Sequence, residues 1–136
     1  LLALRRELGL EEVVQFLGFL DDPAEFLANL DLFLSSSVSE GLPLSAIQAM
    51  VAGVPVVATR VGGYVGLVDD RVTGWLVDSG NPEALAEGIR SVAADSELRT
   101  TLATAARRYA IDTFDIQIML EAYAWQYEEL MGVEQE

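Results

Sequence analysis

Between residues 41 and 63, glycine and proline sit so close to apolar runs that few chain paths remain open. Pro43 fits the first turn of a helix, and Leu44, Ile47 and Val51 then fall on one helical face. Gly53 is a natural stop for that helix, because glycine adopts the left-handed conformation without steric cost. Pro55 opens Val56-Val57-Ala58-Thr59, an apolar run without polar alternation, as expected of a strand buried on both faces. Gly62-Gly63 marks a turn, and Tyr64 to Val68 one short helix. Helix, strand and helix in succession predict a parallel α/β sheet.

The same alternation extends in both directions. Val13-Val14-Gln15-Phe16-Leu17 is a β-branched and aromatic run, which predicts a strand. Asp22-Pro23-Ala24-Glu25 supplies an N-cap, a proline at the first helical position and an acidic first turn. Leu32-Phe33-Leu34 predicts a second strand, running into the small-residue loop Ser35 to Gly41, and Trp75-Leu76-Val77 predicts a fourth. Beyond Asn81-Pro82 the pattern is helical. Leu85, Ile89 and Val92 share a face; Asp95 or Ser96 caps a helix carrying Leu98, Leu102, Ala105 and Tyr109. Asp115 caps a last helix whose Tyr123, Tyr127 and Leu130 form a stripe suited to packing, and Glu134-Gln135-Glu136 reads as a frayed tail. No repeat, low-complexity tract or linker divides residues 1–136, so one domain is expected.

Composition then removes chemistries. All eight basic residues are arginine, and the chain holds no lysine, histidine or cysteine. Disulfides, thiol nucleophiles, zinc held by Cys or His and histidine bases are excluded. No metal or cofactor is called for. A net charge of −14 also disfavours nucleic acid, whose affinity rests on cationic side chains. The apolar run Ala49 to Ala58 falls far short of the roughly 20 residues that span a bilayer. The opening Leu-Leu-Ala-Leu-Arg-Arg-Glu-Leu reads as an amphipathic helix, with its charges on the wrong side for a signal peptide. A cytoplasmic location is expected, with any membrane-surface attachment supplied by parts outside this chain.

In open parallel sheets, ligands bind where strand C-termini run into helix N-termini. The loop Ser35 to Leu42 and the helix from Pro43 occupy that place. Unpaired N–H groups there favour hydroxyl or phosphate oxygens. Glu40 in the loop and Gln48 on a less apolar helical stripe with Ser45 and Ala52 are positioned to address one ligand from two sides. Each has a plainer explanation: Glu40 as a charge complementing the helix dipole, Gln48 as a solvated helix residue, Gly62-Gly63 as a turn.

Glu40-Gly41-Leu42-Pro43-Leu44, then Ala49 to Thr59 and Val61-Gly62-Gly63, closely resemble the retaining, GT-B-fold glycosyltransferases of the family-four, or group 1, type. Val14 to Gly18 and Thr73 to Val77 support the likeness, which covers nearly the whole chain. It implies a Rossmann-like, C-terminal donor domain holding a nucleoside-diphosphate sugar. Glu40 would lie near the transferred hexose as the catalytic carboxylate. The backbone of Gly41, Leu42, Pro43 and Leu44 would contact sugar hydroxyls and phosphate, with Gly62 and Gly63 close to the ligand. A second Glu of that family binds ribose hydroxyls; Gln48 stands there, a neutral acceptor weaker by about 1–2 kcal/mol. Two more positions depart: Gly66 replaces a Glu, and Arg71 replaces a glycine in a turn that prefers positive φ.

The resemblance also implies that residues 1–136 are an N-terminally truncated domain, lacking a first strand, helix and strand and the Arg and Lys that grip the donor diphosphate. In the strand order 3-2-1-4-5-6, the strand at 13–17 would stand apart from that at 32–35 by about 10 Å or more. The gap would close by direct pairing of those strands, or through a partner chain; otherwise the chain belongs to a longer polypeptide. An acceptor domain would lie outside this chain. The function so implied is the donor half of a hexosyltransferase acting on an acceptor hydroxyl with retention. The alternative is an inactive relative serving as a sugar-nucleotide or protein-binding module.

Overall fold

A computed structural model describes residues 1–132, so the expected fraying of Glu134-Gln135-Glu136 lies outside the described residues. The elements are α1 (Leu2–Glu7), α2 (Pro23–Ala28), β1 (Phe33–Ser35), α3 (Leu44–Ala52), β2 (Val56–Thr59), α4 (Gly62–Leu67), β3 (Trp75–Val77), α5 (Pro82–Ala94), α6 (Ser96–Phe114) and α7 (Ile116–Met131). The caps follow local chemistry. Asp22 accepts from the Ala24 N–H at 3.0 Å with Pro23 at the first helical position, and Asn81 accepts from the Ala84 N–H at 2.9 Å. Asp95 accepts from both Glu97 and Leu98 N–H groups, and Asp115 from that of Gln117.

Among the described residues the sheet has three parallel strands in the order β1-β2-β3, with Leu34 opposite Val57 and Ala58 opposite Leu76. This is an α/β, Rossmann-like sheet with helices on both faces. The central strand β2 is buried throughout. Its Val56 and Ala58 face one core with Ile47, Met50, Tyr64 and Leu76, beneath α2, α3 and α4. Val57 faces the other with Trp75, Val77, Val92 and Leu102, beneath α5. Helix α6 serves both cores, giving Leu102 to the second and Ala106 and Ala110 to the first.

The strand expected at 13–17 is absent. Those residues carry no ladder, and Val13, Phe16 and Leu17 are exposed. β-Propensity needs a neighbour to pair with, and no described strand lies beside this segment. Arg5 holds it instead: its Nη1 donates to the Val14 carbonyl at 2.9 Å and its guanidinium lies 5.6 Å from the centre of the Phe16 ring. Direct pairing of this segment with β1 is therefore ruled out, and β1 pairs only with β2 among the described residues.

Two further expectations change. Helix α3 buries Ala46, Ile47, Ala49 and Met50, while Leu44 and Val51 are exposed. Two alanines let the helix lie close against α6, in one core with Ala106 and Ala110, which turns its buried face away from the bulkier aliphatic stripe. In α7 no residue is buried, and Tyr123, Tyr127 and Leu130 are 54%, 61% and 83% exposed. No described element lies against that face, so the expected packing is not found there. Helix α7 meets the described chain chiefly through α6.

Arg71 is the only non-glycine at positive φ among the described residues, at 67°. Its guanidinium covers the Trp75 ring, 2.9 Å from the ring centre, and stands 3.5 Å from Asp70. The left-handed conformation costs a side chain about 1–2 kcal/mol, and the contact with Trp75 returns about 1 kcal/mol of it. Arg71→Ala keeps the strain and loses the contact, and should lower stability by about 1 kcal/mol. Arg71→Gly removes both and should lie about 1 kcal/mol above the alanine variant. Coincident unfolding curves for the two variants would show that the turn relaxes without its side chain.

Candidate functional site

Strand β1 ends at Ser35, and the next eight residues cross the C-terminal end of the sheet before α3 begins at Leu44. The loop is shaped by hydroxyls. Thr59, buried at the end of β2, donates from Oγ1 to the Ser37 carbonyl, tying the loop to the neighbouring strand. Ser35 Oγ and Ser37 Oγ are 3.1 Å apart, and Ser37 Oγ donates to Glu40 Oε1 at 2.8 Å. On the main chain, the Gly63 N–H donates to the Glu40 carbonyl at 2.8 Å. Glu40 is thus held at its backbone and at its carboxylate.

That second tie explains the glycine pair. Gly62 and Gly63 form the first turn of α4 and not the turn preceding it. A Cβ on Gly63 would come within 1.9 Å of the Gly41 carbonyl oxygen, and one on Gly62, at φ +20°, within 2.3 Å of the Glu40 oxygen. Close backbone approach was expected toward a ligand. The closest partner here is the chain's own loop, which already requires glycine at both positions.

Tyr64 lies under this arrangement, almost fully buried in the core. Burial pushes its hydroxyl above the ordinary tyrosine pKa; a hydrogen bond with Ser35 opposes that rise and the charge of Glu40 adds to it. The hydroxyl therefore stays protonated through the neutral range.

The other expected site residues are spread around this centre. Pro43 is buried, its ring close to Gly63, and stands at the N-cap of α3 with no side chain capping the helix. Gly41, Leu42 and Leu44 are exposed on the rim, and Gln48 is exposed one turn into α3. Gly66 lies outside the loop on α4, where an added Cβ meets open space. Arg71 stands away from the loop, against Trp75.

Among the described residues no arginine near the loop is spare. Arg60, directly after β2, pairs with Asp70 at 2.7 Å and approaches Asp78 at 3.9 Å. Burial pushes the Asp70 carboxyl up, but the Leu76 N–H, at 2.9 Å, and Arg60 outweigh it and hold the group below its usual range. Ser37, Thr59 and Tyr64 were not legible as site residues. The one available signal was a hydroxyl three residues before Glu40 in a serine-rich loop.

Residues 1–109 match the family profile described as glycosyl transferases group 1. This chain belongs to that family. Among its relatives, the lipopolysaccharide core biosynthesis glycosyltransferase LpsE of Rhizobium meliloti (strain 1021) is 35% identical over 120 residues, which cover 88% of this chain and 35% of LpsE. A D-inositol 3-phosphate glycosyltransferase of Salinispora arenicola (strain CNS-205) is 40% identical over 114 residues, covering 81% of this chain and 25% of that protein. HepE of Anabaena, solved with UDP and glucose, superposes with a TM-score of 0.87 at 32% identity, over 92% of this chain and 34% of HepE. The chain spans about a third of the length of these relatives or less. Among the described residues no helix is long and apolar enough to cross a membrane.

Proposed function

We propose that this chain is the donor-binding part of a retaining glycosyltransferase that moves a hexose from a nucleoside-diphosphate sugar to an acceptor hydroxyl. The observation that supports this most is Glu40, a carboxylate held at both ends beside the side-chain-uncapped N-terminus of α3. HepE, similar over nearly the whole chain, was solved with UDP-glucose. In this assignment Glu40 faces the transferred sugar. The Gly41–Leu44 backbone addresses hydroxyls and phosphate, and Gln48 addresses the ribose. Gly62 and Gly63 serve the site by letting α4 sit against the loop. Positioned dipoles stabilise charge at the anomeric carbon and the leaving diphosphate as the bond breaks.

Residues 1–136 act in this proposal as a single nucleotide-sugar-binding unit, working in the cytoplasm without metal or cofactor. Basic groups for the diphosphate and the acceptor site come from outside it, because Arg60 is engaged and the net charge is −14. The unpaired edge of β1 fits further strands, from a longer polypeptide or from a partner chain. Nothing observed favours an inactive relative.

Calorimetric titration of the intact protein with UDP-, GDP- and ADP-sugars is the direct test. Binding of one class in the micromolar to millimolar range is expected, and silence toward all three would overturn the proposal. The anomeric configuration of the product, read by NMR, tests retention. Gln48→Glu should tighten donor binding about tenfold, as a charged acceptor replaces a neutral one. Unchanged affinity would place residue 48 away from the ribose.

A further inference from the structure

The loop contains a device that neither the family match nor the relatives assign to a residue: what keeps the Glu40 carboxylate in one orientation. A glutamate has three side-chain torsions, and a half-buried one on a loop would sample several rotamers unless something selected one. We infer that Ser37 is the positioning residue for Glu40, its hydroxyl fixing the carboxylate toward the sugar site. This rests on the assignment of Glu40 to the transferred sugar.

The direction of the hydrogen bonds follows from donor inventory. An ionised carboxylate only accepts, so the single proton of Ser37 Oγ goes to Glu40 Oε1, at 2.8 Å. Having spent its proton, Ser37 must accept from Ser35 across the 3.1 Å contact. The pair is therefore polarised one way, from Ser35 through Ser37 to Glu40, and each bond strengthens the next. Ser37 itself cannot drift, because Thr59 donates to its carbonyl from the adjacent strand. The backbone of Glu40 is fixed separately by Gly63. Removing the Ser37 hydroxyl thus frees the carboxylate, and with it the Ser35 hydroxyl, while both backbone ties of the loop stay in place.

Kinetics of the intact protein with its nucleotide sugar, donor hydrolysis serving if the acceptor is unknown, test this. Ser37→Ala should lower kcat roughly tenfold with KM within a factor of two, the loss expected for one hydrogen bond to a charged group that matters in the transition state. Ser37→Thr keeps a hydroxyl at the same position and should restore most of the rate. The two thermal midpoints should stay close, which a merely structural role for Ser37 would not allow. An unchanged kcat in Ser37→Ala, a loss confined to KM, or failure of threonine to restore a rate lost without unfolding would each overturn the inference. If Glu40→Ala itself keeps full turnover, the assignment of Glu40 has failed and this inference with it. If Glu40→Ala is impaired while Ser37→Ala is not, only the positioning role has failed.

Discussion

Gly63→Ala should cost the protein both stability and activity, more heavily than its size suggests. The added methyl would sit 1.9 Å from the Gly41 carbonyl oxygen and 2.7 Å from its carbon, with the Pro43 ring at 2.9 Å. Two of those contacts are backbone, so no rotamer change relieves them. The first turn of α4 must withdraw from the loop, breaking the Gly63 N–H bond to Glu40. Overpacking of this kind costs about 1–3 kcal/mol, and a misplacement near 1 Å costs about 100-fold in rate. Thermal unfolding and kcat/KM of the intact protein measure the two effects. Gly66→Ala is the contrast: it lies in the same helix, faces open space, and should gain roughly 0.5–1 kcal/mol from helix propensity with activity unchanged. Similar behaviour of both variants would mean that α4 is not seated on the loop.

The second large effect belongs to Glu40. If its carboxylate stabilises charge at the transferred sugar, Glu40→Ala should lower kcat by about 100- to 1,000-fold while donor affinity falls much less. Glu40→Gln keeps an acceptor for the Ser37 hydroxyl and removes only the charge, so its deficit reports the electrostatic part. Calorimetry with the donor and single-turnover kinetics separate binding from chemistry. Equal losses in both would remove the transition-state role and leave Glu40 as a binding group.

Features governed by short-range chemistry were readable before any coordinates. Asp22, Asp95 and Asp115 each sit immediately before the helices that they cap, and the runs expected as strands at 32–34, 55–59 and 75–77 form strands at 33–35, 56–59 and 75–77. The loop carrying Glu40, the helix after it and the glycine pair were found as a unit. What failed depended on neighbours. Residues 13–17 have strand composition but, among the described residues, no strand to pair with, and the apolar stripe of α7 has no described surface to cover. The buried face of α3 was misread because alanine, small enough for close packing against α6, took the buried places from Leu44 and Val51. The hydroxyls of Ser37, Thr59 and Tyr64 escaped notice because they come together only when two strand ends and a helix start converge.

Helix α6 has a consequence for how the molecule comes apart. Because Leu102 belongs to one core and Ala106 and Ala110 to the other, the layers on opposite sides of the sheet share a single rod. Neither layer can open without dragging that rod from its counterpart. Amide protons of β2 and of the middle of α6 should therefore exchange together, through one cooperative opening, and not as two foldons. Softness at the loop carrying Glu40 would then reflect the loop's own hydroxyl ties and not the melting of the layer beneath it.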